Sequence, residues 1–374
     1  MMPLEALPSH SRRSVLLCCV IIMRLVSVPF GKAFSQDAVG HWLYVTLLRE
    51  KKIVCFQRMQ DGSLQRRGET PCAAEPACLG MARDRRTLYV AYRSSGQIAA
   101  FRIHATTGQL TLLNVVAGGD DPAYLLPDRT GHYLLSAYYE SNKVAVHPLT
   151  SAGAIGEQPL LTIPTAEKAH GIAIHPNNQW VFVSHTGSDR IYQFRLDEKT
   201  GKLTPNQPAF VSTPTGEHPR HIMLHPTGRW AYVSNEASDS LGVFEVNQAT
   251  GALRRKQTLS SLPPGVDGQA NATARCELTP DGRCVYIANR GHDSIACYGI
   301  DQDTGRATLL EIVPTEKTPR SFSIDPAGKF LYAAGQGSGK VAVFGISKSG
   351  RLRRQATTEA GPVAWWALAV DVPQ

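Results

Sequence analysis

Five side chains stand at corresponding places in a pattern that repeats along the chain: His170 in KAHGIAIHP, Arg220 in EHPRHIMLHP, Glu236 in VSNEA, Arg290 in ANRGHDS and Arg320 in TPRSFSID. Arginine forks grip carboxylate or phosphate oxygens two at a time. Histidine and glutamate can take a proton from water, and a guanidinium aimed at a carbonyl oxygen stabilises the charge that builds there when water attacks. Together they predict an anion site with an acid–base partner. The bland use of the same residues is structural, with Glu236 merely neutralising Arg220 or Arg290 at a wet rim.

The elements that must position these residues are written in the repeat. Seven stretches open on an anchor and close twelve residues later on another apolar residue; the anchors are Tyr44, Tyr89, Leu134, Phe182, Tyr232, Tyr286 and Tyr332. They lie 45, 45, 48, 50, 54 and 46 residues apart, the period of a four-stranded blade, so the fold class expected is an all-β, seven-bladed β-propeller. Each stretch reads as two strands joined by a polar hairpin, with Asp189, Asp239 and Asp293 as turn formers. An apolar strand ending in a turn precedes the anchor, as in IAIHPNN, IMLHPTG and FSIDPAG, and the HP-turn histidines His175 and His225 are structural in this reading. A hairpin such as DEKTGKLTP leads to the fourth strand. The first repeat lacks its innermost strand, and the C-terminal PVAWWALAVD supplies one, which closes the ring by joining blade one.

In this topology the start of each inner strand meets the end of the next strand at one channel mouth. The inner-strand starts are His170, Arg220, Arg275 or its neighbour Ala274, Arg320 and, on the closing strand, Trp366. Facing them are Leu48, Arg93, Tyr138, Thr186, Glu236, Arg290 and Gln336. A propeller needs small or apolar residues there for packing, so converging charges point to function. His170, Glu236, Arg220 and Arg290 are the catalytic candidates; Arg320, Arg275 and Gln336 are candidates for binding substrate.

The 374 residues include 32 glycines and 24 prolines spread evenly, and 43% are hydrophobic, enough for a sizeable core. Residues 1–36 read as an export signal: Arg12 and Arg13 precede the apolar run Val15 to Met23, and Ala33 and Ser35 suit cleavage. SRRSVLL also resembles a twin-arginine leader. The run is too short to span a bilayer. The expected organisation is therefore a leader over 1–36 and a propeller over 37–374, periplasmic or secreted if the leader is used and cytoplasmic if the start is misassigned. Residues 37–374 keep 35 Lys+Arg against 30 Asp+Glu, a mild excess without basic–aromatic blocks, which suits a small anionic ligand and argues against nucleic acid. Cys72 and Cys78 flank a short loop and could bridge in an oxidising compartment; the other cysteines outside the leader fall on strand patterns. There is no CxxC pair, no G-x-S-x-G elbow, no phosphate loop and no H-E-x-x-H helix, so no metal or cofactor is expected.

The blocks PRHIMLHPTGRWAYVSNE, TPDGRCVYIANRGHDSI and TPRSFSIDPAGKFLYAAGQ resemble the seven-bladed lactonase family, which contains the propeller type of 6-phosphogluconolactonase and the carboxy-muconate cyclase. The resemblance runs from His41 to Val372. It implies that a histidine, two arginines and a glutamate form the site, matching His170, Arg220, Arg290 and Glu236, with Arg320 at a position usually basic. Many members carry an acidic residue where this sequence has Arg275, which predicts a more positive mouth. The leading expectation is a monomeric lactonase acting on an anionic sugar or organic-acid lactone. The alternatives are a muconate-type cyclase or isomerase and a non-catalytic periplasmic binding or scaffold propeller.

Overall fold

Short strands with tight polar turns cannot cover their own apolar faces, so they must stack as sheets. The computed structural model describes residues 39–266 and 268–373 and contains seven antiparallel four-stranded sheets. Six blades use four consecutive strands each. Blade one is made of Val39–Leu47, Lys52–Arg58 and Leu64–Pro71, with the C-terminal strand Ala364–Pro373 as its innermost member. The pairing that closes the ring runs from Val39 opposite Pro373 to Leu47 opposite Ala364. Among the described residues no helix is long and apolar enough to cross a membrane. The leader lies outside the described residues.

The second strand of a blade is packed on both faces by neighbouring blades, so it reads as a continuous apolar run. Thr87–Tyr92, Tyr133–Tyr138, Trp180–His185 and Trp230–Asn235 are buried at every residue. Its tyrosines also staple blades: Tyr44 donates to the carbonyl of Gly108 at 2.8 Å, Tyr232 to Gly305 at 2.9 Å and Tyr286 to Gly350 at 2.9 Å. The HP-turn histidines do the same, His175 Nε2 reaching the Gly228 carbonyl at 3.0 Å and His225 Nε2 that of Gly282 at 3.2 Å. Gly228 has φ +73°, and a Cβ there would lie 2.3 Å from His175 Nε2, so a side chain at this turn would be strained and would displace the histidine.

One backbone device recurs in every blade. After its first paired residue, or its second in blade six, each inner strand slips register: between Pro76 and Leu79, Pro122 and Tyr124, Ala169 and Ile172, Pro219 and His221, Thr273 and Cys276, and Pro319 and Ser321. On the closing strand the slip falls between Ala364 and Trp366. A bulge of this kind re-aims the extra side chain. In blades five, seven and one that side chain is Arg220, Arg320 and Trp365.

Candidate active site

The bulged residues are clamped from the preceding blade. Asp189, in a left-handed turn with φ 51°, accepts the backbone N–H of His218 at 2.7 Å, two residues before Arg220. Asp293 accepts that of Thr318 at 2.7 Å, two residues before Arg320, and Asn142 that of Lys168 at 2.7 Å, two residues before His170. The turn formers seen in the repeat thus hold the entry of each functional strand.

Four of the expected residues meet at the mouth. Arg290 Nη2 donates to Glu236 Oε1 and Arg220 Nε lies 3.5 Å from the same oxygen. Arg290 is anchored from behind by the carbonyls of Ala272 at 3.3 Å and Thr273 at 3.4 Å. Arg220 is 2% exposed, yet its Nε makes no hydrogen bond; Nη1 donates to His221 Nε2 at 3.2 Å. Burial of Glu236 raises its pKa, but the Arg220 and Arg290 charges overcome this and hold the carboxyl below its ordinary value. Burial brings the Arg220 pKa down to about 9, against the pull of Glu236. Arg320 has its guanidinium 3.8 Å above the Trp365 ring, a stacking contact.

His170 is 4% exposed, with its ring edge-on to Tyr139 at 5.9 Å and tilted against His221 at 5.1 Å. Burial first, and then the charges of Arg220, Arg320, Arg93 and Arg290, hold its pKa well below the imidazole range, so the ring is neutral at physiological pH. Its Nδ1 has no hydrogen-bond partner.

Sequence reasoning misplaced three residues by one position and undervalued two more. In blade three Leu135, not Leu134, sits where Tyr89 and Tyr232 sit, since Leu135 pairs with Val146 as Tyr89 pairs with Ala100. Tyr138 is therefore a core residue bonded to Ser136 at 3.0 Å, and Tyr139 faces the mouth. On the closing strand the bulge puts Trp365 at the mouth and Trp366 one storey lower. Arg275 is not at the mouth either. Buried at 5% exposure, it lies 3.5 Å from Glu277, donates to the Tyr124 hydroxyl at 3.4 Å and stacks 4.6 Å from Trp366. Its charge is neutralised below the mouth, so the departure at this position does not make the mouth itself more positive. Gln336 follows the second strand of blade seven, its backbone N–H bonded to Thr318 at 2.9 Å; among the described residues its side chain makes no hydrogen bond with the arginines.

The undervalued residues are Arg93 and Asp121. Arg93 donates to Asp121 Oδ2 and lies over Trp365 at 5.4 Å and Tyr139 at 5.9 Å. Arg93 was legible from its spacing after Tyr89, but Asp121 carried no signal beyond the turn it occupies. The mouth thus sets Arg93, Arg220, Arg290 and Arg320 against Glu236 and Asp121. Among the described residues no group of three or more His, Cys, Asp or Glu side chains is arranged to hold a metal ion. Cys72 and Cys78 carry free thiols, so the bridge that their spacing allows is not formed.

Comparison with known proteins identifies the family of the fold. Over 327 residues the chain is 31% identical to a 6-phosphogluconolactonase of Serratia proteamaculans, covering 87% of this chain and 97% of the relative. It is 32% identical over 289 residues to one from Pectobacterium carotovorum, covering 77% and 86%. The solved structure of the Pseudomonas aeruginosa periplasmic gluconolactonase superposes with a TM-score of 0.82 at 26% identity, over 90% of this chain and 100% of that one. Residues 36–368 match the family described as lactonase, 7-bladed beta-propeller, and the chain belongs to that family.

Proposed function

We propose that the chain is a lactonase that opens the ring of an anionic sugar-acid lactone. The observation that carries this reading is a buried neutral histidine facing four guanidiniums and a carboxylate at one mouth. The Glu236 oxygen nearest the arginines is engaged by both of them, whereas His170 is neutral and its Nδ1 makes no hydrogen bond; this availability, not basicity, favours His170 as proton acceptor and gives Glu236 the task of holding Arg220 and Arg290. The oxygen of water bonds to the lactone carbonyl carbon as its proton passes to His170. Arg220 and Arg320 stabilise the oxyanion. The ring C–O bond then breaks and the proton ends on the departing ring oxygen, yielding the open hydroxy acid.

The same reading has the chain act as a monomer, without cofactor or nucleic acid. The leader pattern and the periplasmic solved relative support a site of action outside the cytosol, testable by cell fractionation. The activity is tested on a panel containing 6-phosphogluconolactone and gluconolactone, with Glu236→Gln and a buffer blank subtracted because lactones also open unaided. Turnover above blank that is lost in the variant is the expected result; no turnover of any member would overturn the assignment.

A further inference from the structure

Six of the seven connections that enter an inner strand are short: residues 72–75, 118–121, 165–168, 213–218, 315–318 and 360–363. The seventh, residues 261–271 between blades five and six, is much longer and ends in a turn of 3-10 helix at Gly268–Ala270. An expanded loop on a rigid scaffold is where specificity is usually built. This one stands beside Glu236.

Its base is tied down. Ser261 donates its backbone N–H to the Asp239 carbonyl at 2.8 Å and its hydroxyl to Asn289 Oδ1 at 2.7 Å; Asn271 Nδ2 donates to Asp239 Oδ1 at 2.6 Å and its Oδ1 accepts the His292 N–H at 3.0 Å. Between the loop and blade five lies a cavity of about 720 Å³, toward the upper end of the range for small-molecule sites. Glu236 lines both this cavity and the mouth.

The lining selects a chemistry. Ser238, Ser260, Asp239 and Asn271 offer hydroxyl, carboxylate and amide groups, while Leu262 and Pro263 offer apolar surface. No cation stands among the described lining residues, and both charged ones, Glu236 and Asp239, are carboxylates. An acidic group is therefore repelled from this side and drawn to the arginines, whereas hydroxyls can donate to the carboxylate and serines as the C–H face of a sugar ring covers the proline and leucine.

Building on the lactonase reading, we propose that this groove is a subsite for a neutral second sugar, so that the enzyme prefers an aldonolactone bearing a further glycosyl unit over a single-sugar lactone. The reacting ring lies at the arginines and the glycosyl unit lies in the groove.

The test is calorimetric binding of two hydrolysis products, cellobionate and gluconate, to the full chain, paired with kcat/KM for their lactones. Cellobionate should bind about tenfold tighter, with the same preference in kcat/KM. In Ala237→Trp and Ser238→Trp, which fill the groove from exposed positions, the preference should fall to about one. Equal binding of the two acids by the unaltered chain, or a preference that survives both substitutions, would overturn the subsite. Both lactones are uncharged, so turnover of neither would leave the lactonase reading to the 6-phosphogluconolactone assay, and the product-binding ratio would still decide the groove.

Discussion

Arg58 and Arg220 are both buried arginines beside carboxylates, with side chains 5% and 2% exposed, and they are used in opposite ways. Arg58 sits where the ring closes. Its Nε donates to the Trp42 carbonyl at 3.1 Å, Nη2 to the Val370 carbonyl at 3.0 Å and to Asp371, and Nη1 lies 3.5 Å from Asp325. One side chain thus ties the first strand of blade one to the closing strand and to blade seven, with a partner on every nitrogen. Arg220 has a single hydrogen bond, to a neutral histidine, and shares Glu236 with Arg290. A buried donor without a partner costs stability, and a cation among cations costs more. The packing of the fold gives Arg220 little to do, which is why the proposed function assigns it to a ligand.

The widest separation should come from Arg58→Met. Removing one partner of a buried charge cluster costs about 3–5 kcal/mol, so urea or thermal unfolding should move sharply while activity per folded molecule persists; an unmoved transition would mean that saturation does not mark a structural arginine. Arg220→Gln should do the reverse. Loss of an oxyanion donor lowers kcat by about 10²–10³, and because the change relieves repulsion from Arg290 and Arg320 the melting temperature should hold or rise. A large melting loss with retained kcat would swap the two roles.

Arg93→Met should be milder, since Arg93 already has Asp121 as a partner and stacks on aromatic rings. A KM raised about tenfold with kcat little changed would place it in binding; an unchanged KM would remove it from the site.

The gentlest separation is by pH. Burial lowers the pKa of His147 and of His185 to about 4 and of His170 and His221 well below 6.5. A histidine depressed in the folded chain takes up fewer protons than in the unfolded one, so its contribution to stability is complete above pH 6.5 and is lost as pH falls toward the folded values. Melting temperature should therefore decline below pH 6.5. Over that window kcat should stay level, because His170, faced by Arg93, Arg220, Arg290, Arg320, His221 and Tyr139, remains a neutral base. A kcat that halves near pH 6.5 would point to an ordinary, solvated histidine instead.

Much of this was legible in the chain. Recurrence at blade period named the propeller, and the same spacing named His170, Arg220, Glu236, Arg290 and Arg320. The errors have two causes. A bulge adds a residue without changing the apolar pattern, so counting from the strand cannot tell Ala274 from Arg275 or Trp365 from Trp366. In LLSAYY two leucines and two tyrosines fit the repeat equally well, and only pairing with Val146 selects Leu135 and Tyr139. Asp121 was hidden because a left-handed turn aspartate looks the same whether or not an arginine lies above it.

The sequence by itself determined the number of blades, the closing strand and the side chains offered to one mouth, because strand period and turn chemistry are local properties that repetition amplifies. Only the tertiary structure decided which charges meet. The storey at which Arg275 is neutralised, the sharing of Glu236 by Arg220 and Arg290, and the groove beside blade five depend on register and on loops packed across blades. Residues far apart in sequence set those contacts, and no local pattern records them.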